Sequence, residues 1–311
     1  MTRLPHFVVL GQGKAGTSFV YRVLSQNPAI GLSHPKELHY FSGNRDKGVD
    51  WYTSHFAHIA PETPMIGEVS PSYLRRDAIE ALANTLGTDT KIIFLLRRPI
   101  ERAYSRYLQN ICATQQGPAF KRMARNLGNS LDQTIDAISA CYDTFGANNV
   151  LPLMYETDIA EHPEQCEAKI LAFLGLEQAS HTEQVLAEGH TNPGVMPRYI
   201  YSGDETLWLG GSLGAYIVPP EQLVFCAQTR NTDVIANPSA DQVRRAFLRQ
   251  SHWSASVSLN EYHMYQRQFV LGAATKLETT FGFDMQVWRN PPQRIIYEPA
   301  PPPAAFLRGA S

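Results

Sequence analysis

Between Phe7 and Leu24 the chain reads FVVLGQGKAGTSFVYRVL. An apolar run, a glycine-rich turn and a helix-spaced segment in that order predict a buried strand handing over to a helix. Lys14, Gly16, Thr17 and Ser18 fall at the handover. Amide groups at a helix start converge on an anion, and the helix dipole favours negative charge there. Gly11, Gly13 and Gly16 let the backbone approach closely. Lys14 adds a mobile positive charge, and Thr17 and Ser18 add hydroxyl donors. Gly13, Lys14, Ala15, Gly16, Thr17 and Ser18 therefore form a candidate phosphate cradle. The nucleoside-triphosphatase pattern, G-x-x-x-x-G-K-[S/T], places its lysine directly after the second glycine. Here Lys14 precedes Gly16, which argues against an ATP- and Mg²⁺-dependent kinase. That reading stays as an alternative, beside a catalytically silent nucleotide-binding module.

A second stretch, Lys91 to Tyr107, reads KIIFLLRRPIERAYSRY. Its apolar run, 92–96, suits a strand buried on both faces. Pro99 suits the first turn of the helix that follows Arg97 and Arg98. Arg98, Arg102 and Ser105 recur at i, i+4 and i+7 and share one face of that helix. Arg97 and Ser105 can together hold a second phosphate through guanidinium and hydroxyl hydrogen bonds. Two phosphate sites at the ends of two parallel strands imply a nucleotide phosphorylated in two places.

Strands expected at 7–11, 30–33, 65–69, 91–97 and 150–155 alternate with helical stretches at 18–25, 77–86, 100–111, 131–145 and 163–174. That alternation predicts an α/β fold: a P-loop-like parallel sheet with helices on both faces. Ligands of such sheets bind at the carboxyl ends of the strands. The expected organisation is a core over 1–178 and an irregular, Gly-, Pro- and aromatic-rich insertion over 179–258. A closing helix and core element at 259–289 and a Pro-rich tail at 290–311 complete it. The insertion reads equally as a lid or acceptor-binding region and as a packed surface excursion.

In these motifs the chain resembles the sulfotransferases that use 3′-phosphoadenosine 5′-phosphosulfate (PAPS), in their carbohydrate and heparan branch. LGQGKAGTS is similar to the family's 5′-phosphosulfate loop. LLRRPIERAYSRY is similar to its 3′-phosphate motif, through Arg97, Pro99, Arg102, Ser105 and Tyr107. HPKELHYFSG and GEVSPSYL resemble two further segments of that branch, and VLPLMYETDI, KILAFLGL and LETTFGFDMQVW its later elements. The resemblance implies sulfuryl transfer from PAPS to a hydroxyl, less readily an amine, of a carbohydrate, glycolipid or small metabolite. The product would be 3′-phosphoadenosine 5′-phosphate (PAP), and no metal is required. Lys14 is then expected to stabilise the departing phosphate, by analogy with phosphoryl transfer.

The acceptor must lose a proton. Glu37 and His39 lie two residues apart, so on an extended segment they face the same way. The resemblance favours Glu37 as base with His39 positioning the acceptor or sharing the proton. Histidine has the more suitable unperturbed pKa, so the residues alone leave the choice open. Trp51, Glu68 and Ser70 join Glu37 and His39 as candidate acceptor contacts, Trp51 because an aromatic face stacks on sugars. The family lysine that follows the glutamate of GEVSPSYL is Val69 here, and Arg75 and Arg76 are the nearest candidates to replace it. Arg198 is the candidate for a late segment closing over the cofactor.

A formal charge of −2 over 311 residues argues against nucleic acid as a partner. Cys112, Cys141, Cys166 and Cys226 form neither metal spacing nor a disulfide framework. With no signal peptide or transmembrane run legible, the expectation is a cytoplasmic chain resembling a soluble bacterial relative.

Overall fold

The computed structural model describes residues 3–114, 120–177, 181–187, 198–202, 205–209, 224–228, 232–236 and 259–290. Its centre is a parallel sheet of β1 (Phe7–Gly11), β2 (Ile30–Leu32), β3 (Met65–Val69), β4 (Lys91–Leu96) and β5 (Val150–Met154), in the order β2-β3-β1-β4-β5. Each expected strand is present, three of them ending one residue sooner than the apolar runs suggested. Between the strands lie α1 (Thr17–Gln26), α2 (Gly48–Ser54), α3 (Arg76–Leu86), α4 (Pro99–Thr114), α5 (Phe120–Ala124) and α6 (Leu127–Phe145), with α7 (Pro163–Leu174) and α8 (Thr182–Ala187) following β5.

Register explains why β1 is apolar at every position. Val9 pairs with Val69 on one side and Ile93 on the other, and all five residues of β1 are buried. A strand with neighbours on both edges and helices on both faces has no side for a polar residue. Helix α1 buries Thr17, Val20, Val23 and Leu24, the one-sided pattern of a helix lying on a sheet. Val20 and Leu24 join Val9, Ile93, Leu95 and Leu171 in one core cluster. Burying each such side chain contributes about 1.5–3 kcal/mol. Cys141 and Cys166 are free and buried, and burial pushes both thiols up to about 12.

The chain divides into two compact units. One comprises Met1–Arg102, Gly128–His190 and Val270–Arg289 and contains the sheet; the other comprises Ala103–Leu127, Thr191–Phe269 and Asn290–Ser311. Within the second unit Phe120 packs edge-on against Tyr104, Tyr107 and Tyr265, at ring-centroid distances of 5.3, 5.5 and 6.1 Å. Tyr107 is fully buried there, so it serves the core. The stretch expected to be irregular carries two antiparallel strand pairs, Arg198–Ser202 with Glu205–Leu209 and Val224–Gln228 with Thr232–Ala236. Arg198 opens the first of these strands; its side chain, like residues 291–311, lies outside the described residues.

Candidate active site

Because all five strands run parallel, the segments following them emerge on one edge of the sheet. The chain leaves β1 towards β2 and leaves β4 towards β5, in opposite directions. A crevice opens where adjacent strands diverge in this way. The glycine-rich turn after β1 and Arg97 after β4 border that switch point.

The turn is pinned to β4 by the Gln12 amide, which donates to the Leu95 carbonyl at 3.2 Å. Ala15 N–H donates back to the Gln12 carbonyl at 3.1 Å, and Gly16 begins α1 in the left-handed region at φ 98°. A Cβ at Gly16 would lie 2.5 Å from Ile159 Cδ1, so this glycine satisfies both a backbone and a packing requirement. The other left-handed residue of the turn is Lys14 itself, at φ 74°. Such a conformation costs a non-glycine residue about 1–2 kcal/mol. A hydrogen bond of 2.8 Å from Arg97 Nη1 to the Lys14 carbonyl helps hold it.

Arg97 also lies over the Tyr155 ring, 4.3 Å from its centroid. Among the described residues its Nε is buried without a hydrogen-bond partner, and no side chain caps the start of α1. Both features fit an anion: a guanidinium edge and a run of helix-terminal amides lie beside the same turn. Thr17 is buried at the start of α1 and Ser18 half-buried beside it. Arg98 takes another role. Its N–H donates to Glu156 Oε1 at 2.9 Å, its Nε to the Val287 carbonyl at 2.7 Å, and Nη1 pairs with Glu101 at 3.2 Å. It braces the start of α4, while burial raises the pKa of Glu156. Arg102 is buried and donates to Ser130 Oγ at 3.0 Å. Ser105 lies half-buried one turn beyond Arg102 on α4, in the second unit.

The segments after β2 and β3 build another wall at the same edge. Glu37 and His39 adopt left-handed backbone at φ 66° and 52°, so their segment is not extended. The pair nonetheless meets: His39 Nε2 lies 3.5 Å from Glu37 Oε2, and Lys36 Nζ lies 2.6 Å from Glu37 Oε1. His39 Nδ1 lies 2.8 Å from Ser72 Oγ, which is 2.8 Å from Ser42 Oγ. Trp51 is half-buried, with Lys47 Nζ 4.4 Å above its ring and His55 edge-on at 4.5 Å.

Glu68 and Ser70 correct the expectation of direct acceptor contact, since both are fully enclosed. Glu68 Oε2 accepts from Tyr52 at 2.6 Å; Oε1 accepts from Tyr73 at 2.6 Å and Ser70 at 2.7 Å. Burial raises the Glu68 pKa against the pull of these three donors, and raises both tyrosines well above the usual phenol value. The cluster ties β3 to α2 and to the turn Pro71–Tyr73 behind the His39 wall. Arg75 and Arg76 are likewise engaged elsewhere, paired on the surface with Asp77 and Asp136. The basic residue beside the Glu37–His39 pair is Lys36.

Sequence reading missed Lys36, Ser42 and Tyr73 as parts of this wall. The alternation Glu68, Ser70, Ser72 carried a signal for Ser72. Nothing local linked residues 42 and 52 to that strand end. Among the described residues, no three His, Cys, Asp or Glu side chains gather in a way that could hold a metal ion. Also among them, no helix is long and apolar enough to cross a membrane.

A parallel α/β sheet with a glycine-rich turn and an arginine at its switch point is an arrangement suited to binding phosphate groups. Comparison with known proteins makes this specific: the sulfotransferase domain model matches residues 4–190. The chain belongs to the sulfotransferase domain family. It is 35% identical over 106 residues to the membrane-associated sulfotransferase kil1 of Dictyostelium discoideum, covering 33% of this chain and 22% of that protein. It is 35% identical over 112 residues to the bifunctional heparan sulfate N-deacetylase/N-sulfotransferase 2 of Bos taurus, covering 34% of this chain and 13% of that one. These matches span well under half of either relative. In fold, it resembles the crystal structure of a sulfotransferase from Alicyclobacillus acidocaldarius, with TM-score 0.57, 20% identity, and 93% and 100% of the two chains covered.

Proposed function

We propose that this chain transfers a sulfuryl group from PAPS to a hydroxyl of a carbohydrate, glycolipid or small metabolite, releasing PAP. The observation that carries the reading is the 2.8 Å bond from Arg97 to the Lys14 carbonyl. It couples the two anion-binding segments, one after β1 and one after β4, as a nucleotide phosphorylated in two places requires. The family match supports the same chemistry. Gly13, Lys14, Ala15, Gly16, Thr17 and Ser18 would hold the 5′ end of the cofactor, and Arg97 its second phosphate. When bound, PAPS supplies the sulfuryl group.

The chain's own residues then act on both reactants. Turn amides and Lys14 stabilise charge on the departing phosphate, which is where preorganised donors contribute most. Glu37 and His39 orient the acceptor hydroxyl and take its proton. Lys36 holds Glu37 in place, and Trp51 offers an aromatic face to the acceptor. Glu68 and Ser70 act from behind this wall by fixing its backbone. Buried free thiols at Cys141 and Cys166 suit the reducing cytosol in which we place the enzyme.

The test is sulfuryl transfer from labelled PAPS to a panel of hydroxyl and amine acceptors. Wild type should label at least one acceptor. Lys14→Ala should lose about a hundred- to a thousandfold in kcat, the range for removing one transition-state donor. Glu37→Gln should lose about a hundredfold or more while still binding PAP. Labelling that survives both substitutions overturns the assignment of this crevice. Turnover of ATP with Mg²⁺ in its place favours the kinase.

A further inference from the structure

The hydroxyl pair behind His39 constrains which of its ring nitrogens carries the proton. We propose that Ser72, backed by Ser42, is a positioning residue that keeps the proton of neutral His39 on Nε2, aimed at Glu37. The inference rests on the reading of Glu37 and His39 as the acceptor-side pair. It divides their roles, leaving Glu37 as the proton acceptor and His39 as the group that orients it.

The groups around His39 leave two self-consistent networks. Facing its ring are Glu37 on the Nε2 side, with Lys36 on that carboxylate's other oxygen, and Ser72 on the Nδ1 side. Behind its backbone N–H is Ser70 Oγ at 3.5 Å, which leads on to Glu68. If neutral His39 carried its proton on Nδ1, Ser72 would accept it and the Nε2 lone pair would face the Glu37 carboxylate. That arrangement sets lone pair against negative charge. In the other tautomer Ser42 donates to Ser72, Ser72 donates to Nδ1, and the Nε2–H lies on the side of the Glu37 carboxylate, 3.5 Å from its Oε2.

The same pair serves the imidazolium. When the ring gains a proton, Nδ1–H donates to Ser72, Ser72 turns to donate to Ser42, and Ser42 donates to the His39 carbonyl, 3.4 Å away. Two hydroxyl rotations therefore follow one protonation without any heavy atom moving. A hydroxyl suits this place because it donates and accepts in turn, which neither an amide nor a carboxylate does through a single atom.

Histidine-labelled full-length protein, with the His39 signals assigned by comparison with His39→Gln, allows long-range proton–nitrogen NMR to read the tautomer directly. Above the ring's titration, wild type should show Nε2 protonated and Nδ1 bare. Ser72→Ala should lower the ratio of Nε2–H to Nδ1–H forms about fivefold, the value of one ordinary hydrogen bond. Ser72→Thr should restore the wild-type ratio. Ser42→Ala should give a smaller change in the same direction. A wild-type ring protonated on Nδ1, or a ratio unchanged in Ser72→Ala, overturns the proposal. Calorimetric PAP binding to the same samples separates the two claims. A contrary ring result in protein that binds PAP rejects only the tautomer assignment, whereas failure to bind PAP counts against the function and leaves the ring result standing.

Discussion

Two walls border the switch point of the sheet, and they are made differently. The turn after β1 is a backbone device: left-handed residues at Lys14 and Gly16, an amide tied to β4, and one guanidinium on a carbonyl. The wall after β2 and β3 is a side-chain device, in which Glu37, His39, Ser42, Ser72 and the Glu68 cluster hold one another. A backbone device recognises what every bound cofactor shares, an anion, and tolerates little change of conformation. A side-chain network can be retuned one residue at a time, which suits the face that must fit an acceptor.

The comparison can be broken most severely at Gly16. Alanine there is strained at φ 98° and meets Ile159 and Tyr155, so Gly16→Ala should cost about 1–3 kcal/mol or more and weaken PAP binding. Thermal unfolding and calorimetry on the same sample check both. A fully stable variant that binds PAP as wild type does would show that the turn is not conformationally fixed.

Tyr52→Phe tests the other wall with a smaller change. It removes one of three donors to a buried carboxylate, and should cost about 1–3 kcal/mol in denaturant unfolding while leaving PAP affinity unchanged. Equal losses of stability and PAP affinity would contradict the separation of the two walls.

The smallest effect is one of pH. Burial places the folded-state pKa of Glu68 above its unfolded value. The folded state therefore binds that proton more tightly, and the stability this contributes is fully present below the unfolded pKa. It is lost as pH rises through the folded pKa. Glu68→Gln does not titrate, so the Tm of wild type minus that of Glu68→Gln should decrease as pH rises across this window. A difference independent of pH would show that Glu68 is not held as described.

The same contrast explains what the sequence disclosed. β1 and β4 were the most legible strands because a strand buried on both faces is an unbroken apolar run, as at 92–96. The glycine-rich turn was legible because glycines mark unusual backbone locally. That the left-handed conformation falls on Lys14 was not, since it depends on Arg97, far along the chain. Helix α2, GVDWYTS, escaped notice because it is short and lacks a clear apolar period. The enclosure of Glu68 escaped too, because its three donors come from positions 52, 70 and 73 and only the fold brings Tyr52 to them.

The most direct measurement is calorimetric binding of PAP, beside ATP, to wild type, Lys14→Ala and Arg97→Ala. The account predicts that PAP binds and ATP binds little, and that Arg97→Ala weakens PAP by tenfold or more, on the order of one charge-assisted hydrogen bond. Preference for ATP, or PAP binding indifferent to Arg97→Ala, would contradict it.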